Sequence, residues 1–121
     1  MDKFDIEKRL LEYSLRIVKI VEQLPNTKVG NHIADQLIRS GTSPSFNYAE
    51  AQGAESRNDF VHKLKICLKE LRESLIALKM IDRLFKIQPD DFLSETILES
   101  NELISIFVKS ILTAEKNKRK S

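Results

Sequence analysis

The sequence predicts an all-α protein, an antiparallel up-down-up-down four-helix bundle. Apolar residues recur every three or four positions along four long segments, which is the spacing of one buried helix face. The 121 residues include only 3 Gly and 3 Pro, too few for a fold rich in tight turns. The length suits one domain, so we expect residues 1–121 to form a single unit whose short connections make successive helices antiparallel.

The first two predicted helices cover about residues 5–24 and 27–52. Thr27 or Asn26 supplies a capping oxygen at the start of the second helix. Pro44 lies inside that helix and lacks an amide hydrogen, so we expect a kink or a short break near it. The predicted inward residues are Ile6, Leu10, Tyr13, Ile17, Val21 and Leu24 in the first helix, and Ile33, Leu37, Phe46 and Ala49 in the second. Tyr48 is assigned to an interface.

The last two predicted helices cover about residues 56–86 and 90–115, and a basic tail, predicted to be frayed, follows at 116–121. Ser56 caps the third helix, with Asp59 at the position of the capping-box acid. The predicted inward residues are Phe60, Leu64, Cys67, Leu71, Leu75, Leu78 and Phe85 in the third helix, and Leu93, Ile97, Ile104, Phe107, Val108 and Ile111 in the fourth. Each set follows one face, as a bundle requires.

Composition restricts the class of protein without naming a function. A single Cys excludes an internal disulfide and favours a reducing compartment, so we expect a cytoplasmic protein. The first ten residues are too acidic for a signal peptide, and no run of eighteen apolar residues predicts a membrane span. The 20 basic and 18 acidic residues give a net charge of +2, which indicates no strong overall attraction to nucleic acid.

The third and fourth helices carry more apolar residues than one inward face needs. A helix that is apolar on a second side usually has a second partner. We therefore expect self-association through these two helices. The additional apolar residues are Ile66, Ile76, Met80, Leu98 and Ile106.

Basic residues concentrate on one face of the third helix. Residues 61–90 contain seven Lys and Arg against four acids, a local charge of +3, whereas residues 31–60 have two against four, or −2. At 100° per residue the basic side chains occupy about one third of the helix circumference. We call this set the basic stripe: His62, Lys65, Lys69, Arg72, Lys79, Arg83 and Lys86. It is a candidate surface for nucleic-acid phosphates, and the alternatives are a solvated face or pairing with acids of a neighbouring subunit.

A cluster of polar residues is predicted in the middle of the bundle. Its members are Arg39, Asn47, Glu50, Glu70 and Glu73, and we interpret them as a structural ion-pair network that fixes helix register. No Glu-x-x-His motif of the di-metal bundles occurs, because His32-x-x-Asp35 and Asp59-x-x-His62 differ from it. We therefore expect no metal and no cofactor.

Two residues suggest a nuclease as a weaker alternative. Arg57 and His62 are separated by four residues and resemble the motif of the HEPN ribonucleases, which are helical and use no metal. There a His acts on the ribose 2′-hydroxyl as acid or base, while an Arg stabilises phosphate charge. The simpler interpretation places both residues on the solvated start of the third helix.

Two ordered motifs carry a family resemblance over about residues 28–86. The first runs from Gln36 to Ala51 and contains Arg39, a Ser-rich bend, and the sequence Asn-Tyr-Ala-Glu-Ala. The second runs from Ser56 to Ser74 and contains Ser-x-x-x-Phe and then Glu-Leu-Arg-Glu-Ser. Together they resemble the 23S rRNA intervening-sequence protein family of four-helix bundles. The differences from the family pattern are Pro44, Ala51 after Glu50, and Leu78-Lys79 where many members have Trp-Leu.

The resemblance implies an up-down-up-down bundle that assembles as a ring, typically a homopentamer, with no catalytic residues. It also implies a relation to the accessory protein of diversity-generating retroelements, a basic pentameric barrel that binds nucleic acid and a reverse transcriptase. We therefore expect a non-enzymatic oligomer that binds RNA, DNA or a nucleoprotein partner through its basic surfaces. The competing expectation is a purely structural oligomeric scaffold.

Overall fold

A computed structural model describes the backbone of residues 2–120 and the side chains of residues 2–117. It contains four helices: α1 (Lys3–Val21), α2 (Lys28–Gln52), α3 (Arg57–Leu84) and α4 (Phe92–Lys120). Each helix packs on its neighbours in chain order, and α4 returns to pack on α1. The predicted all-α four-helix bundle is confirmed.

Side-chain oxygens cap the starts of three helices, as their sequences favour. The Asp2 carboxylate accepts hydrogen bonds from the amides of Phe4 and Asp5 at the start of α1. Thr27 Oγ1 accepts from the Gly30 amide at 3.0 Å, and Ser56 Oγ accepts from the Asp59 amide at the same distance. These caps satisfy amides that have no partner within the helix, and so fix where each helix begins.

The contacts between helices establish the antiparallel order. In each pair of contacting helices, moving forward along one helix brings the contact to an earlier residue of the other helix. The contacts are Ser14–Ser45 and Ile17–Gly41 between α1 and α2, Arg39–Glu70 and Glu50–Lys63 between α2 and α3, and Arg9–Glu99 and Arg16–Glu95 between α1 and α4. Because three of the four contacts around the bundle are antiparallel, the fourth, between α3 and α4, is antiparallel too.

The core follows the predicted apolar faces, with Tyr13, Ile17, Leu37, Leu71 and Phe107 among its fully buried side chains. The prediction for the second half of α2 was wrong. Phe46 is 68% exposed and Ala49 is exposed, whereas Tyr48 and Ala51 are buried. The residues that face inward therefore lie two positions later than predicted.

Pro44 does not interrupt α2, so the alternative of a short break is wrong, while a bend stays a prediction. Neighbouring side chains bond carbonyls around the proline: the Thr42 hydroxyl donates to the Ile38 carbonyl and the Asn47 amide to the Ser43 carbonyl. The Cys67 thiol of α3 donates to the Pro44 carbonyl at 3.5 Å. These bonds reach carbonyls near the proline, but the carbonyl that loses its helical amide partner is that of Ser40.

The helix ends also differ from the predicted ones. α3 ends at Leu84, two residues early, because Phe85 has extended backbone angles. α4 continues to Lys120 instead of ending near residue 115, so most of the predicted frayed tail is helical. The side chains of residues 118–121 lie outside the described residues. No helix in the described range is long and apolar enough to cross a membrane.

Candidate nucleic-acid interface

The basic stripe is a surface feature of α3. All seven of its members are exposed. Lys65 pairs with Glu115 of α4 at 2.7 Å, whereas Arg72 lines a groove between α2 and α3, so the stripe lies on the outward face of α3 between its two neighbours. Lys86 was placed on the helix in error, since it follows the end of α3 and its C-cap residue Phe85.

Most of the stripe has no acidic partner among the residues that the structure describes. Among the residues that the structure describes, Lys65 is the only stripe member in a salt bridge. Lys69 lies close enough to Glu73 to help lower the pKa of that carboxyl, as a minor contributor behind Arg39. The positive charge of the stripe is therefore largely available to an external anion.

Three acids of α4, namely Glu95, Glu99 and Glu102, are held by two arginines of α1. Arg9 Nε donates to Glu99 Oε2 at 2.9 Å, and Arg9 Nη2 contacts both Glu99 and Glu102. The hydrogen bond to Glu99 is the main reason that the pKa of Arg9 is raised. Arg16 Nη2 lies 3.2 Å from Glu95. These three carboxylates therefore pair with Arg9 and Arg16, and Glu115 is the acid of α4 that reaches the stripe.

Three of the five residues of the predicted polar network meet. Arg39 Nη1 lies 2.7 Å from Glu70 Oε2, and Arg39 Nη2 lies 2.8 Å from Glu73 Oε2. The Glu70 side chain is only 9% exposed, while that of Arg39 is 51% exposed. The hydrogen bond from Arg39 is the main reason that the pKa of Glu73 is lowered. One guanidinium thus joins α2 to α3 by binding a buried and an exposed carboxylate.

The other two predicted members do not join this cluster. The Asn47 amide donates to Ser43 Oγ at 2.8 Å within α2. The exposed Glu50 carboxylate lies 3.5 Å from Lys63 Nζ. Asn47 and Glu50 were grouped because they are three positions apart, but Asn47 bonds within α2 and Glu50 pairs with Lys63 of α3.

The residues of the nuclease alternative face different directions. Arg57 and His62 are five positions apart, which is about 140° around a helix. Arg57 lines a cleft with Lys109 and Asn117 of α4, and His62 is exposed outside that cleft. In this geometry the two side chains do not face a common site at which both could contact one phosphodiester.

Cys67 is buried and its thiol has low reactivity. Burial is the main reason that its pKa is raised from 9.0 to about 12, so the thiolate is scarce at neutral pH. Within the described part of the chain, no group of three His, Cys, Asp or Glu side chains is arranged to hold a metal ion.

Comparison with known proteins supports the sequence resemblance. The profile of the family described as 23S rRNA-intervening sequence protein matches residues 2–109. The chain belongs to this family. A solved structure from Bacteroides thetaiotaomicron, described as a protein of unknown function from the S23 ribosomal protein family, is 32% identical, with a TM-score of 0.80. The match covers 92% of this chain and 98% of that one. No curated protein matches the chain.

Proposed function

We propose that this family member is a non-enzymatic, self-associating bundle, a homopentamer as the resemblance implies, that binds the phosphate backbone of nucleic acid with its basic stripe. One observation carries the proposal: six exposed cationic or titratable side chains along α3 and its end have no salt-bridge partner among the described residues. Alone or within a nucleoprotein, a phosphate backbone supplies regularly spaced anions for such a surface. Self-association multiplies the stripe and strengthens binding.

The stripe suits backbone contact better than base recognition. Its members are Lys, Arg and one His, and no aromatic side chain lies among them to stack on an unpaired base. We therefore expect binding to depend strongly on salt and weakly on sequence.

The experiment measures binding to 23S rRNA fragments and to duplex DNA by fluorescence anisotropy over a series of salt concentrations. The test variant reverses Lys69, Lys79 and Arg83 to Glu. It omits Lys65, whose reversal would also break the pair with Glu115. The control reverses Lys3, Lys19 and Lys28, three exposed lysines of α1 and α2, and changes the net charge equally.

The stripe variant should lose affinity at least tenfold, and its slope of log K against log salt should flatten by about 1 for each lost phosphate contact. The control should change affinity by less than about threefold, because its lysines belong to α1 and α2 and not to the stripe. Wild-type protein without salt-dependent binding to either nucleic acid would contradict the proposal.

Two other outcomes identify the competing functions. If the stripe variant dissociates the assembly, the stripe pairs with acids of a neighbouring subunit and the protein is a scaffold. If wild-type protein cleaves RNA and His62→Ala does not, the ribonuclease assignment to Arg57 and His62 replaces the proposed function.

A further inference from the structure

A second cationic surface lies at one end of the bundle, apart from the basic stripe. It is a cleft of about 330 Å³, lined mainly by the first two turns of α3 and by α4 from Lys109 to Asn117. Pockets for small molecules measure roughly 300–1,000 Å³, so this cleft has room for one small ligand. Each of the two helices contributes one cation to it, Arg57 from α3 and Lys109 from α4.

The two cations of the cleft have no acidic partner among the residues that the structure describes. Neither Arg57 nor Lys109 forms a salt bridge there, and no Asp or Glu lines the cleft. Glu115, the acid closest to Lys109 in the sequence, pairs with Lys65 at 2.7 Å. Asp59 is two positions after Arg57, which places it about 160° away around the helix. The cleft therefore offers positive charge to a small anion.

The start of α3 adds to this charge. Arg57 is the first residue of that helix, and the positive end of the helix dipole lies there. The Ser56 cap uses the Asp59 amide, so it does not occupy the Arg57 side chain. A phosphate group bound by Arg57 would thus be favoured by the guanidinium and by the helix end together.

The interior of the cleft is apolar and contains an aromatic ring. Ile6 and Leu64, which line it, are 7% and 2% exposed. Phe60 packs against the core but is only partly buried, so part of its ring is exposed in the cleft. Aromatic side chains of this kind stack on nucleobases. The basic stripe has no such ring, which distinguishes what the two surfaces can bind.

Neutral polar side chains complete the lining. Ser110, Thr113 and Asn117 follow one another along α4 at steps of three and four residues, and all three line the cleft. None of these side chains forms a hydrogen bond within the described part of the chain. Their hydroxyl and amide groups therefore remain available to the hydroxyls of a bound sugar.

We propose that this cleft binds one nucleotide unit. Arg57 and Lys109 bind its phosphate, Phe60 stacks on its base, and the polar side chains of α4 bind its sugar. A phosphate joined through a sugar to an aromatic base occurs both in a free nucleoside monophosphate and at the 5′-phosphorylated end of a strand. The site does not use the basic stripe, so it stands independently of the function proposed above.

The first arm of the experiment titrates AMP into the full-length protein by isothermal titration calorimetry. If the free nucleotide is the ligand, its Kd should be below about 1 mM. Adenosine and inorganic phosphate should each bind at least about tenfold more weakly, because each makes only part of the contacts. Adenosine or phosphate that binds as tightly as AMP would overturn the assignment of a nucleotide.

The second arm measures a 3′-fluorescein pentanucleotide, with a 5′-phosphate or a 5′-hydroxyl, by fluorescence anisotropy. The stripe contacts the internal phosphates of both, so a preference of at least about fivefold for the 5′-phosphate reports the cleft. A preference without AMP binding identifies the strand end as the ligand, and AMP binding without a preference identifies the free nucleotide. Absence of both overturns the proposal.

Three variants locate the bound nucleotide. Arg57→Gln and Lys109→Gln should each weaken AMP binding, or reduce the 5′-phosphate preference, by about fivefold or more. Phe60→Leu should weaken AMP binding about fivefold, because it keeps an apolar side chain but removes the ring. The matched control is Arg83→Gln, which removes a stripe cation from the other end of α3 and should leave both readouts within about twofold.

The variants also show where the proposal fails. If Arg57→Gln and Lys109→Gln behave as wild type, or if Arg83→Gln has an equal effect, the nucleotide lies outside the cleft and the proposal is overturned. Both cleft cations are exposed, so their substitution does not disturb the core. Circular dichroism checks the fold, and the two charge variants decide the outcome if Phe60→Leu is unfolded.

Discussion

The Tyr13 hydroxyl lies 2.7 Å from Ser74 Oγ, across the centre of the bundle from α1 to α3. The same hydroxyl also contacts Ser100 Oγ of α4. All three side chains are at most 1% exposed. A single phenol thus links three helices and favours one register, because the Tyr13 hydroxyl meets both serines only when the three helices align.

Tyr13→Phe should destabilise the protein by about 2 kcal/mol, since it removes two buried hydrogen bonds. Ser74 keeps a bond to the Leu71 carbonyl at 2.8 Å, so most of the loss arises at Ser100. The measurement is urea unfolding at fixed protein concentration, because an oligomer's stability depends on concentration. Tyr48→Phe is the control and should cost less than half as much, since Tyr48 has only a weak side-chain partner in Gln52. Equal losses would refute a special role for Tyr13.

Arg39→Met should destabilise the protein by about 2 kcal/mol, because Glu70 is then buried without a cation. Glu73→Gln should cost less than about 1 kcal/mol, since that pair is partly exposed and screened. Urea unfolding of both variants at pH 7 measures this difference. Equal losses of stability in the two variants would mean that the burial of Glu70 does not determine how much the cluster stabilises the protein.

The Arg39–Glu73 pair also predicts a pH dependence. Arg39 lowers the pKa of Glu73 below its ordinary 4.5 in the folded protein, so the folded state holds this proton less tightly. The resulting stability is present above pH 4.5 and is lost as the pH falls through the lowered value. The difference in free energy of unfolding between wild type and Glu73→Gln should therefore become smaller below pH 4.5. A stability difference that grows as the pH falls would contradict the predicted direction of the pH dependence.

Gly41→Ala should destabilise the contact between α1 and α2 by about 2 kcal/mol. A β-carbon at Gly41 would lie 2.6 Å from Ile17 Cγ1, which is too close for an atom of a buried side chain. Gly53→Ala is the control, because its β-carbon would lie 3.8 Å from the nearest atom and the backbone there has negative φ. That variant should stay within about 0.5 kcal/mol of wild type in thermal unfolding.

A second substitution identifies the cause of the Gly41 effect. Ile17→Ala removes the atoms that the new methyl group would meet, at a cost of about 3 kcal/mol for the cavity. The double variant with Gly41→Ala should lose less stability than the sum of the two single losses, because the new methyl group fills part of the space left by Ile17. Additive costs would show that the close approach is not what the alanine disturbs.

The sequence by itself determined the four helices, the cap at Ser56 and most of the core, and it narrowed the cap of α2 to Thr27 or Asn26, of which the structure shows Thr27. These features depend on neighbours within one or two turns, so a spacing of three or four residues is enough to reveal them. It also carried the family resemblance through two ordered motifs. The position of Phe46 was missed because the apolar pattern of α2 is sparse near Pro44, and a shift of two residues rotates a side chain by about 200°.

Only the tertiary structure decided which polar residues meet and which apolar ones stay uncovered. Arg39 reaches Glu70 and Glu73 while Asn47 and Glu50 turn elsewhere, because partners on different helices depend on register. The positions of the acids of α4 likewise determine how much of the stripe's charge is paired. Arg9 and Arg16 of α1 bind three of these acids. Helical periodicity is local, whereas pairing between helices requires the packed bundle.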